Sequence, residues 1–172
     1  MKLIHKYYLL TAKTKKHPLI KELTKQQEYC RKLHNRTKKD NKQRIAGYLN
    51  SPFSQIKLLV ISRYIVKGKW IDKGSGHLTL ETYENKPCYF IYDLCRGIRP
   101  AYKHNKHDRI SPIQYVLLEC EFFVKKLNMK EIYLKISKKN DVIKLLQVYN
   151  SYNYIKYKEE NDYIILKKNI NN

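Results

Sequence analysis

The chain has 172 residues and an apolar share of 42%, enough for one domain with a real core and too much for a mainly disordered chain. Lys and Arg number 36 against 15 Asp and Glu, a formal net charge of +21. That balance admits two readings: an anionic partner, above all nucleic acid, or a solvated surface shaped by an AT-rich genome.

The second reading has support in the composition. Lys outnumbers Arg roughly four to one, and the AT-rich-codon residues Tyr, Ile and Asn are abundant. Phosphate forks favour Arg instead. No apolar run approaches the roughly 20 residues that a membrane helix needs. The N-terminal Leu3-Ile4 and Leu9-Leu10 pairs are split by His5 and Lys6 and lack a small-residue cleavage site. An intracellular, cytoplasmic protein with no membrane segment is the expectation. The four cysteines, Cys30, Cys88, Cys95 and Cys120, form no CxxC pair and are expected to be reduced.

In chain order, residues 2–11 read as a strand. Lys13 to Pro18 is a basic loop, with Pro18 in the first turn of a helix that carries Leu19, Ile20, Leu23, Gln27, Cys30 and Leu33 at helical spacing. Arg31 to Arg44 is the most basic stretch and is expected to be an exposed connection. A helix follows over 42–50, with Ile45, Ala46 and Leu49 inward. Residues 56–72 are dense in β-branched and aromatic residues. Lys73-Gly-Ser-Gly76 is expected to be a turn, and His77 to Tyr83 the next strand. Asn85-Lys-Pro87 is a turn into the strand Cys88 to Leu94, completing a three-stranded meander.

The period then changes. Ile113, Val116, Leu117, Cys120, Phe123, Val124 and Leu127 share one helical face. Glu131 to Ser137 reads as a strand. Asp141 is the candidate N-cap of a helix with Ile143, Leu146 and Tyr149. Strands over 154–157 and 163–166 close the chain. The order is β-α-α-β-β-β-α-β-α-β-β, an α+β chain with a mixed sheet in which the fourth and fifth strands run parallel because a helix joins them.

The tail Val148-Tyr149-Asn150-Ser151-Tyr152-Asn153-Tyr154, followed by two strands, resembles the closing segment of the GNAT N-acetyltransferase family. In that family a helix is followed by Leu-Tyr-Glu-Lys-x-Gly-Phe and a strand pair. The resemblance covers nearly the whole chain, 1–172, as a single GNAT-like domain. Asn153 stands for the helix-ending Gly, and Asn is the next-best residue in the left-handed region. Tyr154 stands for a buried Phe, so its hydroxyl needs a partner.

The resemblance also implies acetyl-CoA and an activity, transfer of an acetyl group to an amine acceptor. The pyrophosphate loop of the family, Arg/Gln-x-x-Gly-x-Gly/Ala, falls on Arg109-Ile110-Ser111-Pro112-Ile113-Gln114. The Arg is kept and both small positions are lost. Leu94, Cys95 and Arg96 would polarise the thioester carbonyl with backbone N–H groups. Tyr149 is the implied acid for the departing thiolate, and Asp93 and Glu81 are candidate bases. An acceptor carried on tRNA or another RNA is one analogy within the family.

The alternative is a GNAT-fold protein without catalysis that binds nucleic acid or a protein partner. Arg31, Lys32, Arg36, Lys38, Lys39, Lys42 and Arg44 would supply salt-sensitive phosphate contacts. Cys88, Cys95, His104 and His107 do not have a usual zinc-finger spacing, and no metal is expected.

Overall fold

The structure is a computed structural model and describes residues 2–11, 13–50, 57–66, 69–96 and 112–170. One seven-stranded mixed sheet organises it. The strands are β1 (Lys2–Leu10), β2 (Lys57–Val66), β3 (Lys69–Tyr83), β4 (Lys86–Arg96), β5 (Glu131–Ser137), β6 (Ile155–Glu159) and β7 (Tyr163–Asn169). They lie in the order β1-β2-β3-β4-β5-β7-β6. All neighbours are antiparallel except β4 and β5. That pair is joined through helix α4 (Pro112–Lys126), and a crossover helix returns the chain in the same direction.

Strand alternation divides the core between two faces. Leu58, Val60, Leu78, Tyr89, Ile91, Ile132 and Leu134 point to the face covered by α4 and by α5 (Val142–Asn150). Leu59 and Ile61 point the other way, against α1 (Lys16–Gln26) and α3 (Lys38–Asn50), through Leu19, Leu23, Ile45 and Leu49. A third cluster, Cys88, Phe90, Tyr133 and Ile165, lies on the sheet face opposite α4. Its rings are roofed by long side chains: the Lys135 ammonium sits 4.9 Å from the Phe90 ring centre and that of Lys167 4.8 Å from Tyr157.

Three expectations are corrected. The helical run after Pro18 breaks at Gln27, so a short helix α2 (Glu28–Leu33) separates α1 from α3 and adds a third helix before β2. The basic stretch 31–44 is therefore mostly helical, and its Asn41 is fully buried. Gly74, Ser75 and Gly76 form no turn. They lie inside the long strand β3, and all three are buried. Gly76 is there for space: a Cβ would lie 2.9 Å from Val116 Cγ1 and 3.2 Å from Leu94 Cδ2. Finally, Cys30 and Cys95 are joined as a disulfide across 65 residues, while Cys88 and Cys120 are buried free thiols.

Other details agree with the sequence. The β3–β4 hairpin turns on Glu84 and Asn85, both at positive φ (48° and 61°), as a tight two-residue loop requires. Asp141 caps α5 by accepting from the Lys144 amide at 3.2 Å. Asn153 takes φ 66°, and the Tyr154 amide then bonds back to the Tyr149 carbonyl at 3.0 Å. The Tyr154 hydroxyl finds Glu121 Oε1 at 3.0 Å, the partner that its burial demands.

Candidate active site

The β4–β5 pairing is short. Tyr89, Phe90 and Ile91 pair with Ile132, Tyr133 and Leu134, and the ladder ends there. From Tyr92 to Arg96, β4 keeps β3 on one edge and has no strand on the other among the described residues.

A bulge sits at the parting. His77 pairs with Tyr92 and Ser75 with Cys95, so Asp93 and Leu94 together face Gly76. Asp93 takes φ 50°, a strained value for a non-glycine residue. The extra residue re-aims the strand. Leu94 packs toward α4, while Asp93 stays on the face of α1–α3. Without the bulge, the carboxylate of Asp93 would point into the apolar layer beneath α4.

On that face Asp93 joins a polar network drawn from four elements. Arg44 of α3 donates from Nη1 to Asp93 Oδ1, and from Nη2 to Gln27 Oε1 at 2.5 Å. Gln27 Nε2 reaches Ser75 Oγ of β3 at 3.4 Å. His77 Nδ1 lies 4.0 Å from Asp93 Oδ2. Its ring is stacked between Tyr48, 4.3 Å away, and Tyr92, 5.7 Å away. Burial, and then the Asp93 carboxylate, push the Tyr48 hydroxyl well above the ordinary tyrosine range. Cys95, two residues past Asp93, ties the same strand end to α2 through Cys30.

The remaining candidate residues fall as follows. Tyr149 lies on the inner face of α5, 8% exposed, edge-on to Tyr154 at 6.5 Å. Burial raises its hydroxyl to about 12. Glu81 sits opposite Cys88, toward the hairpin turn and away from the parting. Burial first, and then the Glu81 carboxylate, raise the neighbouring Tyr92 hydroxyl. Leu94 and Cys95 are on the open stretch of β4; Ile113 and Gln114 are on the first turn of α4 and half-buried. Pro112 is the first residue of α4, a position where its missing N–H leaves no intrahelical bond unmade. Arg109, Ile110 and Ser111 lie outside the described residues, as does the side chain of Arg96.

Of the basic residues, Arg31 and Arg44 are engaged internally, Arg31 by Glu28 and Arg44 by Asp93. Lys32, Lys38, Lys39 and Lys42 are exposed. The Cys88/Cys95 zinc pair is not available as such, because Cys95 is bonded to Cys30. Sequence reasoning missed Gln27, Tyr48 and His77 as site residues. They are up to 66 positions from Asp93, and nothing local marks them.

A seven-stranded mixed sheet, a bulged fourth strand parting from the fifth, and a crossover helix at the parting define the GNAT acetyltransferase fold, and the chain has that fold. A putative GNAT acetyltransferase from Desulfovibrio desulfuricans superposes with a TM-score of 0.63 at 10% identity, over 99% of this chain and 100% of that one. The PaiA N-acetyltransferase of Thermoplasma acidophilum, in complex with coenzyme A, gives 0.58 at 15% identity over 98% and 99%. The PseH N-acetyltransferase of Campylobacter jejuni, in complex with acetyl coenzyme A, gives 0.51 at 12% over 98% and 100%. No family model and no curated protein sequence matches the chain.

Proposed function

We propose that the protein is an N-acyltransferase that moves an acetyl group from acetyl-CoA to an amine acceptor. The observation that carries this reading is the parting of β4 from β5 after three residue pairs, with the bulge at Asp93 beside it. Among the described residues it leaves one edge of Tyr92 to Arg96 without a strand, a fit for a cofactor arm that bonds to backbone as a strand would. The coenzyme-A complexes of PaiA and PseH, which share the fold, support the assignment.

The residues present suit the cofactor at that edge. Leu94 and Cys95 would offer backbone groups to the thioester end. Ile113 and Gln114 would offer the amides of the first turn of α4 to phosphate, and Arg96 and Arg109 are the cations the family resemblance implies. Acetyl-CoA supplies the activated acyl group. The chain's own part is to hold the amine in line and to manage two protons. Asp93, at the parting and beside His77, is placed to take the proton of the attacking amine, directly or through one water. Tyr149 stays protonated at neutral pH and serves as donor to the leaving sulfur. Glu81, farther up the hairpin, is assigned to holding Tyr92.

The test is calorimetry and thermal shift with acetyl-CoA on the whole chain. Saturable heat and a rise in melting temperature at micromolar to millimolar cofactor are expected. No heat and no shift at millimolar cofactor overturns the reading.

The exposed Lys32, Lys38, Lys39 and Lys42 favour a second reading, a nucleic-acid-binding protein without catalysis. It requires an RNA affinity that falls steeply with salt; an affinity indifferent to salt removes it.

A further inference from the structure

The turn between α2 and α3, residues 34–37, is more firmly built than a connection needs to be. Arg31 grips Glu28 with two bonds, Nε to Oε2 at 2.8 Å and Nη2 to Oε1 at 2.5 Å. The same guanidinium donates from Nη1 to the Arg36 carbonyl at 2.7 Å, and the Arg36 amide donates to the Arg31 carbonyl at 3.0 Å. Asn35 takes the left-handed φ of 51° that this reversal needs. At the other end, Thr37 and Asp40 cap α3 reciprocally: the Asp40 amide bonds Thr37 Oγ1 at 3.1 Å and the Thr37 amide bonds Asp40 Oδ2 at 3.2 Å. The disulfide Cys30–Cys95 and the Arg44–Asp93 pair fasten the elements on both sides of the turn to the open end of β4.

What this frame presents is Arg36. It is half-buried, and its guanidinium has no hydrogen bond or ion pair with a described residue. The two other guanidinium groups near it are already answered, Arg31 by Glu28 and Arg44 by Asp93. Arg36 feels Arg44 and Asp93 and has lost part of its hydration; His34, at the end of α2, has also lost hydration and feels both guanidinium groups. Two guanidinium groups, Arg36 of the turn and Arg44 of α3, stand around the one carboxylate of Asp93, so the local charge is an excess of cation even with His34 neutral. A partly desolvated guanidinium with no ion pair to a described residue, on a backbone held at both its amide and its carbonyl, is suited to take a planar or tetrahedral oxyanion.

We infer that Arg36, with His34 beside it, reads an anionic group on the acceptor, so that the substrate class is a small amine bearing a carboxylate or a phosphate near its amino group. The inference rests on the acetyltransferase reading for the amine and on the turn itself for the anion. Asp93 would face the amino group while Arg36, whose guanidinium feels that carboxylate, holds the anion.

The test compares matched acceptors: ethanolamine with phosphoethanolamine, and propylamine with β-alanine, each followed by release of coenzyme A thiol. The anionic member of at least one pair is expected to have the lower KM, by about tenfold or more, the scale of one charge-assisted hydrogen bond. Which pair shows it tells phosphate from carboxylate. Arg36→Gln should erase the difference by raising the KM of the anionic member, and Arg36→Lys should restore part of it. Lys25→Gln removes an equal charge from an exposed site on α1 and should leave the difference in place. Equal KM values within both pairs, or equal effects of Arg36→Gln and Lys25→Gln, overturn the inference.

A second measurement does not need turnover. Inorganic phosphate should raise the melting temperature of the wild-type chain and not that of Arg36→Gln. If no acceptor is acetylated but this Arg36-dependent shift is present, the acetyltransferase reading fails and the anion site stands. If the shift is absent as well, both fail.

Discussion

Arg44 of α3 donates to the carboxylate of Asp93 at the bulge of β4, and with its other terminal nitrogen to Gln27 Oε1 at 2.5 Å. One guanidinium thus joins two helical elements and the strand that carries the proposed base. Replacing Arg44 with Met should lower unfolding free energy by about 1–3 kcal/mol, because Asp93 is left without its charge partner beside the buried His77. A double-mutant cycle with Asp93→Asn, read by urea denaturation, should show coupling of about 1 kcal/mol. Additive effects would mean that the pair does not hold the bulge. Asp93→Asn alone should also lower kcat by about a hundredfold or more if the carboxylate takes the proton.

Tyr149→Phe separates chemistry from packing. The ring remains, so stability should change by no more than about 1 kcal/mol, while kcat should fall about a hundredfold. An unchanged kcat would leave Tyr149 as core only. Its pH signature has a definite sign. Burial raises the folded hydroxyl to about 12 from the ordinary value of 10.0. Its contribution to stability is therefore complete below pH 10 and is lost as pH rises from about 10 to about 12, where the unfolded chain releases the proton first. Stability measured across that window should fall more steeply in the wild type than in Tyr149→Phe.

The Cys30–Cys95 bridge spans 65 residues. Closing a loop of that size should stabilise the folded chain by about 2–4 kcal/mol, so dithiothreitol should lower the denaturation midpoint of the wild type. The Cys30→Ser/Cys95→Ser double variant should start at the lower midpoint and not respond to reductant. A wild-type midpoint indifferent to reductant would mean that the two thiols do not bridge in solution.

Gly76→Ala probes the contact between the bulge and α4. The added methyl meets Val116 Cγ1 at 2.9 Å and Leu94 Cδ2 at 3.2 Å, so one of two buried side chains must move. A loss of about 1–3 kcal/mol is expected in denaturant titrations. A milder change would show that Leu94, the less buried of the two, gives way.

Much of the fold could be read along the chain because the signals are local. The strand Glu131 to Ser137 was legible to the residue from its composition, and Asp141 from its capping chemistry. Asn153 kept the left-handed geometry of the closing motif because its short amide tolerates positive φ. The errors were also local signals, overridden by packing. Gly74-Ser-Gly76 carries turn chemistry, but Val116 of α4 and Leu94 of β4 lie so close to β3 that Gly76 has no room for a side chain inside the strand. The basic stretch 31–44 has the composition of a loop, yet its second half enters α3, where Asn41, Ile45 and Leu49 form one buried face.

The sequence by itself determined the order of the seven strands, the parallel β4–β5 crossover and the closing Tyr149–Tyr154 segment, since periodicity, caps and turn residues act over a few positions. Only the tertiary structure decided that Cys30 meets Cys95, that Arg44 and His77 surround Asp93, and that Arg36, with no ion pair to a described residue, comes near the same carboxylate. Those partners are 16 to 65 positions apart in the chain. They meet because a single bulge turns one carboxylate to the helical face, and no pattern along the sequence records which way a bulged residue will point.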